Sequence, residues 1–273
     1  MVTRRSVLAG AAAVPVMSFG ANDAAGGDDL KLGVASYSLR NLPRARAIGV
    51  IQTLGTPYVN IKESHLRYTS TLEEIAAARK DFADAKITVL GGGNISLREN
   101  TVDGMRKWFD YARASGFPLI VCAPTPDNVG VVETLVKEYN IKAAIHNHGP
   151  EDKFFPTPQS VLKAIKGMDP RVGLCIDIGH TARSGVDVVK SIREAGPRLL
   201  DMHVKDLRDF STSKSQCAVG DGIMPMVAIF KELKRMKFHG GVMLEYEINA
   251  DNPEPGMVKS FAYMRGVLGG LRG

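Results

Sequence analysis

Cysteine is scarce in this chain: three residues in 273, an odd number, with no Cys-x-x-Cys pair. That excludes a disulfide framework and a thiolate zinc knuckle. Cys122 and Cys175 sit inside apolar runs, where a small buried thiol is ordinary core. Long apolar stretches are also missing. The best run, Leu8 to Met17, is too short to cross a bilayer as a stable helix, so no stable membrane insertion is expected. No long basic run carries interleaved aromatics, and aromatics make up 7% of the chain. The formal charge of +6 is therefore read as solvated helix faces such as Lys231 to Arg235, and no nucleic-acid partner is expected. A modest attraction for anionic ligands follows from the same charge.

The N-terminal 28 residues read as separate from the fold. Arg4-Arg5 precede the Ala-rich run, and a polar, glycine-rich stretch follows to Asp29. This pattern predicts an export signal of the twin-arginine type and a periplasmic destination. That route carries folded proteins, which suits a protein that loads a metal before export.

From Leu30 the chain alternates between strand-like and helix-like segments. Strands are expected at 32–37, 58–62, 87–90, 119–122, 142–145, 172–176, 199–202 and 241–244. Helices are expected at 43–54, 71–85, 101–115, 128–139, 157–165, 186–194, 225–236 and 255–271. The strands are continuous apolar runs, as in a parallel sheet covered on both faces. Eight βα units in residues 29–273 predict an α/β chain folded as a single (β/α)8 barrel. An open doubly wound sheet would place a glycine-rich phosphate loop after the first strand, where Ser36-Tyr37-Ser38-Leu39 stands instead.

Barrel enzymes collect their functional residues at the C-terminal ends of the strands. Five of the six histidines lie there, all but His239. Strand two offers Glu63 and His65. Strand five offers His146 and His148, with Glu151 in the loop. Strand six offers Asp177 and His180, strand seven His203, Lys205 and Asp206, and strand eight Glu245 and Glu247. Mixed imidazole and carboxylate groups predict one divalent ion. Such an ion suits chemistry on a sugar: it holds hydroxyl and carbonyl oxygens and stabilises the enediolate formed when a neighbouring carbon loses its proton. His180 is expected beside the ligands rather than among them. Lys205 is expected to pair with Asp206 or Asp177, and Glu247 to be a solvated loop acid. Gly220-Asp221-Gly222 could offer backbone amides to a phosphate.

Ser36-Tyr37-Ser38, Glu63, His146-Asn147-His148-Gly149, Asp177-Ile178-Gly179-His180, His203-Val204-Lys205-Asp206, Gly220-Asp221-Gly222 and Leu244-Glu245 fall in the order seen in the xylose isomerase-like barrels, which this chain resembles over its whole length after the first segment. The epimerase-like members of that group bind one divalent ion through Glu, Asp, His and Glu. The resemblance carries three of these onto Asp177, His203 and Glu245. At the first position this chain has His146, so its implied ligand set is His146, Asp177, His203 and Glu245, holding Mn²⁺, Zn²⁺ or Co²⁺.

In those epimerase-like members inversion at a sugar carbon uses two matched glutamates, and the resemblance implies that His146 replaces one of them here. Glu245 is then the expected base, with Glu63, His148, Glu151 and Lys205 as candidate partners. The implied activity is a metal-dependent sugar isomerase or epimerase acting on a small-molecule sugar. The alternative is a lyase that eliminates water or an aglycone next to a keto group. A sugar-binding barrel without turnover is the reading from a different class.

Overall fold

A computed structural model describes residues 30–271; the expected export segment, with Arg4 and Arg5, lies outside the described residues. Eight parallel strands close into a barrel: β1 (Lys31–Ala35), β2 (Tyr58–Ile61), β3 (Thr88–Ser96), β4 (Leu119–Ala123), β5 (Lys142–His146), β6 (Val172–Asp177), β7 (Leu199–Val204) and β10 (Gly241–Leu244). β10 pairs with both β7 and β1, which completes the ring.

The outer ring contains α1 (Arg44–Thr53), α2 (Leu72–Asp84), α3 (Val102–Ser115), α4 (Val129–Tyr139), α5 (Pro158–Ala164), α7 (Val188–Ala195), α8 (Met226–Arg235) and α9 (Glu254–Gly270). Local chemistry sets several of these ends. Thr71 and Glu74 form a reciprocal capping box at the start of α2, and Gly116 closes α3 in the left-handed conformation. The main apolar core lies between strands and helices, with Phe82, Phe109, Phe230 and Phe261 fully buried.

The alternation expected from sequence is observed, with added short elements and shifted strand ends. A short helix, α6 (Ile178–Arg183), follows β6 directly, capped by the Asp177 side chain. A two-stranded hairpin, β8 (Asp206–Leu207) with β9 (Gln216–Cys217), sits between β7 and α8. The first strand ends at Ala35, and Ser36–Leu39 turn as a 3₁₀ helix. The third strand runs on through Gly91-Gly92-Gly93 to Ser96 instead of stopping at residue 90. The Phe117 ring packs so closely over Gly92 that a Cβ there would come within 2.1 Å of it. The glycine run thus admits a neighbour's ring and does not break the strand.

Strand alternation sorts the side chains. Inside the barrel, Asn60 Nδ2 donates to Asp201 Oδ2 at 2.7 Å, and the Cys175 thiol faces the same oxygen at 3.7 Å. Desolvation pushes the buried Asp201 carboxyl up to about 7. His203 lies two residues beyond Asp201, and Asp177 two beyond Cys175, so the same parity carries both to the barrel mouth.

Candidate metal centre

His146 and Asp177 close β5 and β6, His203 is the last residue but one of β7, and Glu245 directly follows β10; the four strands are neighbours in the ring. Each offers one donor atom, and the four atoms lie within 4.8 Å of one another. His146 Nε2 is 2.9 Å from His203 Nδ1 and 3.6 Å from Asp177 Oδ2, and His203 Nδ1 is 3.2 Å from Glu245 Oε1. Donors bound at about 2.0–2.2 Å to one ion stand about 2.8–3.6 Å apart along a polyhedron edge. The three separations fall in that range. All four residues are buried, and Asp177 Oδ2 makes no hydrogen bond. Two imidazole nitrogens facing each other beside two buried carboxylates, one of whose oxygens accepts no hydrogen bond, fit a cation at their centre. Two nitrogens and two carboxylates suit a transition ion better than Mg²⁺.

Neighbouring groups hold these side chains in place. Asp177 Oδ1 accepts the His180 backbone N–H at 2.8 Å. Asn147 Oδ1 accepts the Asp177 N–H, while its Nδ2 donates to Thr181. Burial keeps His146 well below the ordinary imidazole range, in the neutral form a ligand needs. Burial alone would also lower His203, but the adjacent Glu245 carboxylate outweighs it and raises the group.

Lys205 is the cation in direct contact with the quartet's carboxylates. Its ammonium lies 2.8 Å from Glu245 Oε2 and 3.0 Å from Asp177 Oδ2, off line for a hydrogen bond to the latter, and it also pairs with Glu247. Burial would lower Lys205, yet the three carboxylates hold it well above its usual value. Burial would likewise raise Glu245 and Asp177; the charges around them keep both low and ionised, His203 and Lys205 acting on Glu245, and Lys205 and His180 on Asp177.

His148 stands at the rim, 37% exposed, its ring 4.3 Å from that of His146. Asn94 Nδ2 lies 3.0 Å from His148 Nε2, and Asp152 Oδ2 lies 3.5 Å from His148 Nδ1. Burial lowers His148, helped by His180. Gly149, at φ +83°, carries the turn past the His180 ring, where a Cβ would come within 3.0 Å of Nδ1.

Several expected partners lie elsewhere. Glu63 is exposed, because strand alternation from Asn60 points Lys62 to the mouth and Glu63 away from it. Lys62 was missed, although the parity of β2 carried the signal. Its Nζ donates to Asn94 O at 2.8 Å, and burial lowers its pKa against the pull of Glu245. Glu151 is 63% exposed and bound to Arg183. His65 is buried as a brace, its ring nitrogens engaged by Ser36 and by the carbonyls of Leu39 and Leu42. Glu247 is not a solvated acid but a partner of Lys205. The amides of Gly220 and Gly222 are spent inside the protein: with that of Met224 they donate to the Asp206 carboxylate. Asp206 therefore does not pair with Lys205. His180 stands beside the quartet, its ring 6.0 Å from that of His146.

Residues 50–267 match the family model for the xylose isomerase-like TIM barrel. The inosose dehydratase of Geobacillus kaustophilus (strain HTA426) is 24% identical over 147 residues, which are 48% of this chain and 46% of that protein. The chain thus spans less than half the length of this curated relative. Among solved structures, an uncharacterised protein from Parabacteroides distasonis ATCC 8503 is 27% identical, with a TM-score of 0.67 over 87% of this chain and 98% of the other. A D-psicose 3-epimerase, solved in the presence of D-fructose, is 17% identical with a TM-score of 0.71, covering 88% of this chain and all of that one.

Proposed function

This chain belongs to the xylose isomerase-like TIM barrel family, and from that premise we propose that it is a metal-dependent enzyme that removes a proton next to a carbonyl in a sugar, as an isomerase or epimerase. The observation that carries the reading is the buried quartet His146, Asp177, His203 and Glu245, with its donor atoms converged. These residues would hold one Mn²⁺, Zn²⁺ or Co²⁺. When bound, the ion would supply Lewis-acid stabilisation of the charge that develops on the substrate oxygens.

The protein's own groups divide the remaining work. Glu245 is the base: it is ionised, its Oε1 lies by His203, and its Oε2 lies by Lys205. Lys205 orients that carboxylate, and the one ammonium proton not hydrogen-bonded to Glu245 or Glu247 can hydrogen-bond to a substrate oxygen that takes up charge. His148, at the rim with Asn94 on Nε2 and Asp152 on Nδ1, is placed to return or take a proton from the solvent side. The epimerase among the similar structures and the dehydratase among the relatives both support a carbonyl-adjacent reaction.

Elimination is the second reading. It is favoured by His146 standing where inversion needs a second carboxylate. One base beside two proton donors suits loss of water or an aglycone. Incubating the metal-loaded protein with keto-sugars and keto-glycosides separates the readings by mass. Products of unchanged mass support the isomerase, and loss of water or aglycone supports the lyase. Tight binding without turnover would replace both with a binding barrel. For the segment before the barrel we propose export by the twin-arginine route to the periplasm, supported by Arg4-Arg5 ahead of the apolar run.

A further inference from the structure

A cavity of about 170 Å³ adjoins the quartet on the side of α6 and the β8–β9 hairpin. Its walls include His180, Arg183, Lys205, Ser213, Gln216 and Glu247. Lys205 is shared between this cavity and the quartet, so a group bound in the cavity would lie against the reacting centre. The cavity has room for one planar substituent and the carbon that bears it.

Most polar groups around the cavity are already committed. Lys205 serves three carboxylates. Gln216 Nε2 donates to the Glu245 carbonyl, and its Oε1 accepts the Glu247 N–H. Arg183 differs. Its side chain is only 7% exposed, yet its Nε is buried with no hydrogen-bond partner. Nη2 reaches out to Glu151 at the rim, and Nη1 lies 3.4 Å from His180 Nδ1. A buried guanidinium N–H without an acceptor is costly; Nε is closed off from solvent while Glu151 holds Nη2, and release of Glu151 would open this edge of the guanidinium to an oxygen in the cavity that Arg183 lines.

We propose that this cavity is a carboxylate subsite anchored by Arg183, so that the substrate is an acidic sugar, a keto-aldonate or a uronate, rather than a neutral ketose. The proposal rests on the function given above and names its substrate class. Nε and Nη2 share one edge of the guanidinium, and two parallel N–H groups match the two oxygens of a carboxylate. A phosphate would call for more donors, and the nearby amides of Gly220, Gly222 and Met224 are filled by Asp206. Glu151 holds one arm of the fork from solvent and gives it up when a substrate carboxylate arrives.

The test compares D-gluconate with D-sorbitol, which differ at a single carbon, carboxylate against hydroxymethyl. Dissociation constants are measured by titration of the full-length protein in the presence of a chelator, so that no bound ion can hold the carboxylate. Gluconate should bind at least about tenfold more tightly than sorbitol, and R183Q should erase the difference. E151Q should tighten gluconate by about two- to fivefold and leave sorbitol unchanged. Should R183Q fail to fold, the wild-type comparison and E151Q still decide. Equal binding of the two ligands, or a gluconate preference that survives in R183Q or does not rise in E151Q, overturns the subsite. If the preference fails while the protein exchanges the α-proton of keto-sugars, only the subsite is wrong. If the preference holds and no keto-sugar or keto-acid undergoes exchange, the subsite stands and the enolising function is wrong.

Discussion

Lys205 and His148 separate the charge balance of the site from its chemistry. Lys205 neutralises Asp177, Glu245 and Glu247 in a buried setting. Replacing it with Met strands those carboxylates, and removing one partner of a buried ion pair costs about 3–5 kcal/mol. Denaturant unfolding of K205M should show that loss in metal-free protein, and added Mn²⁺ should recover more stability in K205M than in the wild type. Equal Mn²⁺ stabilisation of the two would mean that the ion and Lys205 do not share the same carboxylates. His148 stands at the rim, 37% exposed, against the His146 and His180 rings; H148A should lose about 10²-fold in turnover, as expected for a missing general acid or base, while its thermal melt shows the fold retained. An H148A rate close to that of wild type would remove it from the mechanism. Of these residues, the sequence marked His146, Asp177, His203 and Glu245 by their places at strand ends. Glu63 stands out in the sequence as the acid that follows the strand at 58–62, with Lys62 as the strand's last residue. Only the parity of Asn60, turned inward to Asp201, separates them. Arg183 was hidden for another reason: its partner Glu151 lies 32 residues away, across a contact that no local pattern encodes.

At the scale of elements, the βα rhythm was legible because the apolar strands and capped helices alternate without a break. The additions were not. α6 is six residues long and exists because Asp177 both caps it and points into the site. The β8–β9 hairpin depends on Asp206 gathering amides from residues 220 to 224. The outer ring has a polar tie of its own. Glu232 on α8 is buried between Arg193 of α7 and Arg235 of its own helix. Hydrogen bonds from Arg235 and Arg193 lower its carboxyl to about 2. A carboxyl depressed in the folded state stabilises above its unfolded pKa of roughly 4.3 and loses that contribution as pH falls toward 2. Both arginines are more than half exposed, so screening limits the effect to about 1 kcal/mol. E232Q should therefore melt lower than wild type at pH 7, and thermal melts across pH should show the gap closing between about pH 5 and pH 2. A gap independent of pH would mean that Glu232 acts by packing alone.

For the whole molecule, the closed barrel explains how distant sequence positions converge. Residues 146 to 245 supply one buried quartet because four neighbouring strands end at the same mouth. Sequence order alone implied this once the barrel was inferred. It did not reveal which rim residues turn inward, since loops after strands have no fixed period. The proposed export route is tested on the same scale. Replacing Arg4 and Arg5 together with Lys should leave the protein in the cytoplasm, as followed by cell fractionation. Continued appearance in the periplasm would assign the segment to another pathway.

The central claim is that the quartet holds a divalent ion and that Glu245 takes the proton beside the substrate carbonyl. The most direct measurement is exchange of that proton with deuterated water, followed by NMR on keto-sugars and keto-aldonates with wild type and E245Q, each with and without Mn²⁺. Exchange in the wild type that needs the metal and disappears in E245Q is the predicted result. Exchange in E245Q at the wild-type rate, or a wild-type rate unaffected by removing the metal, would contradict it.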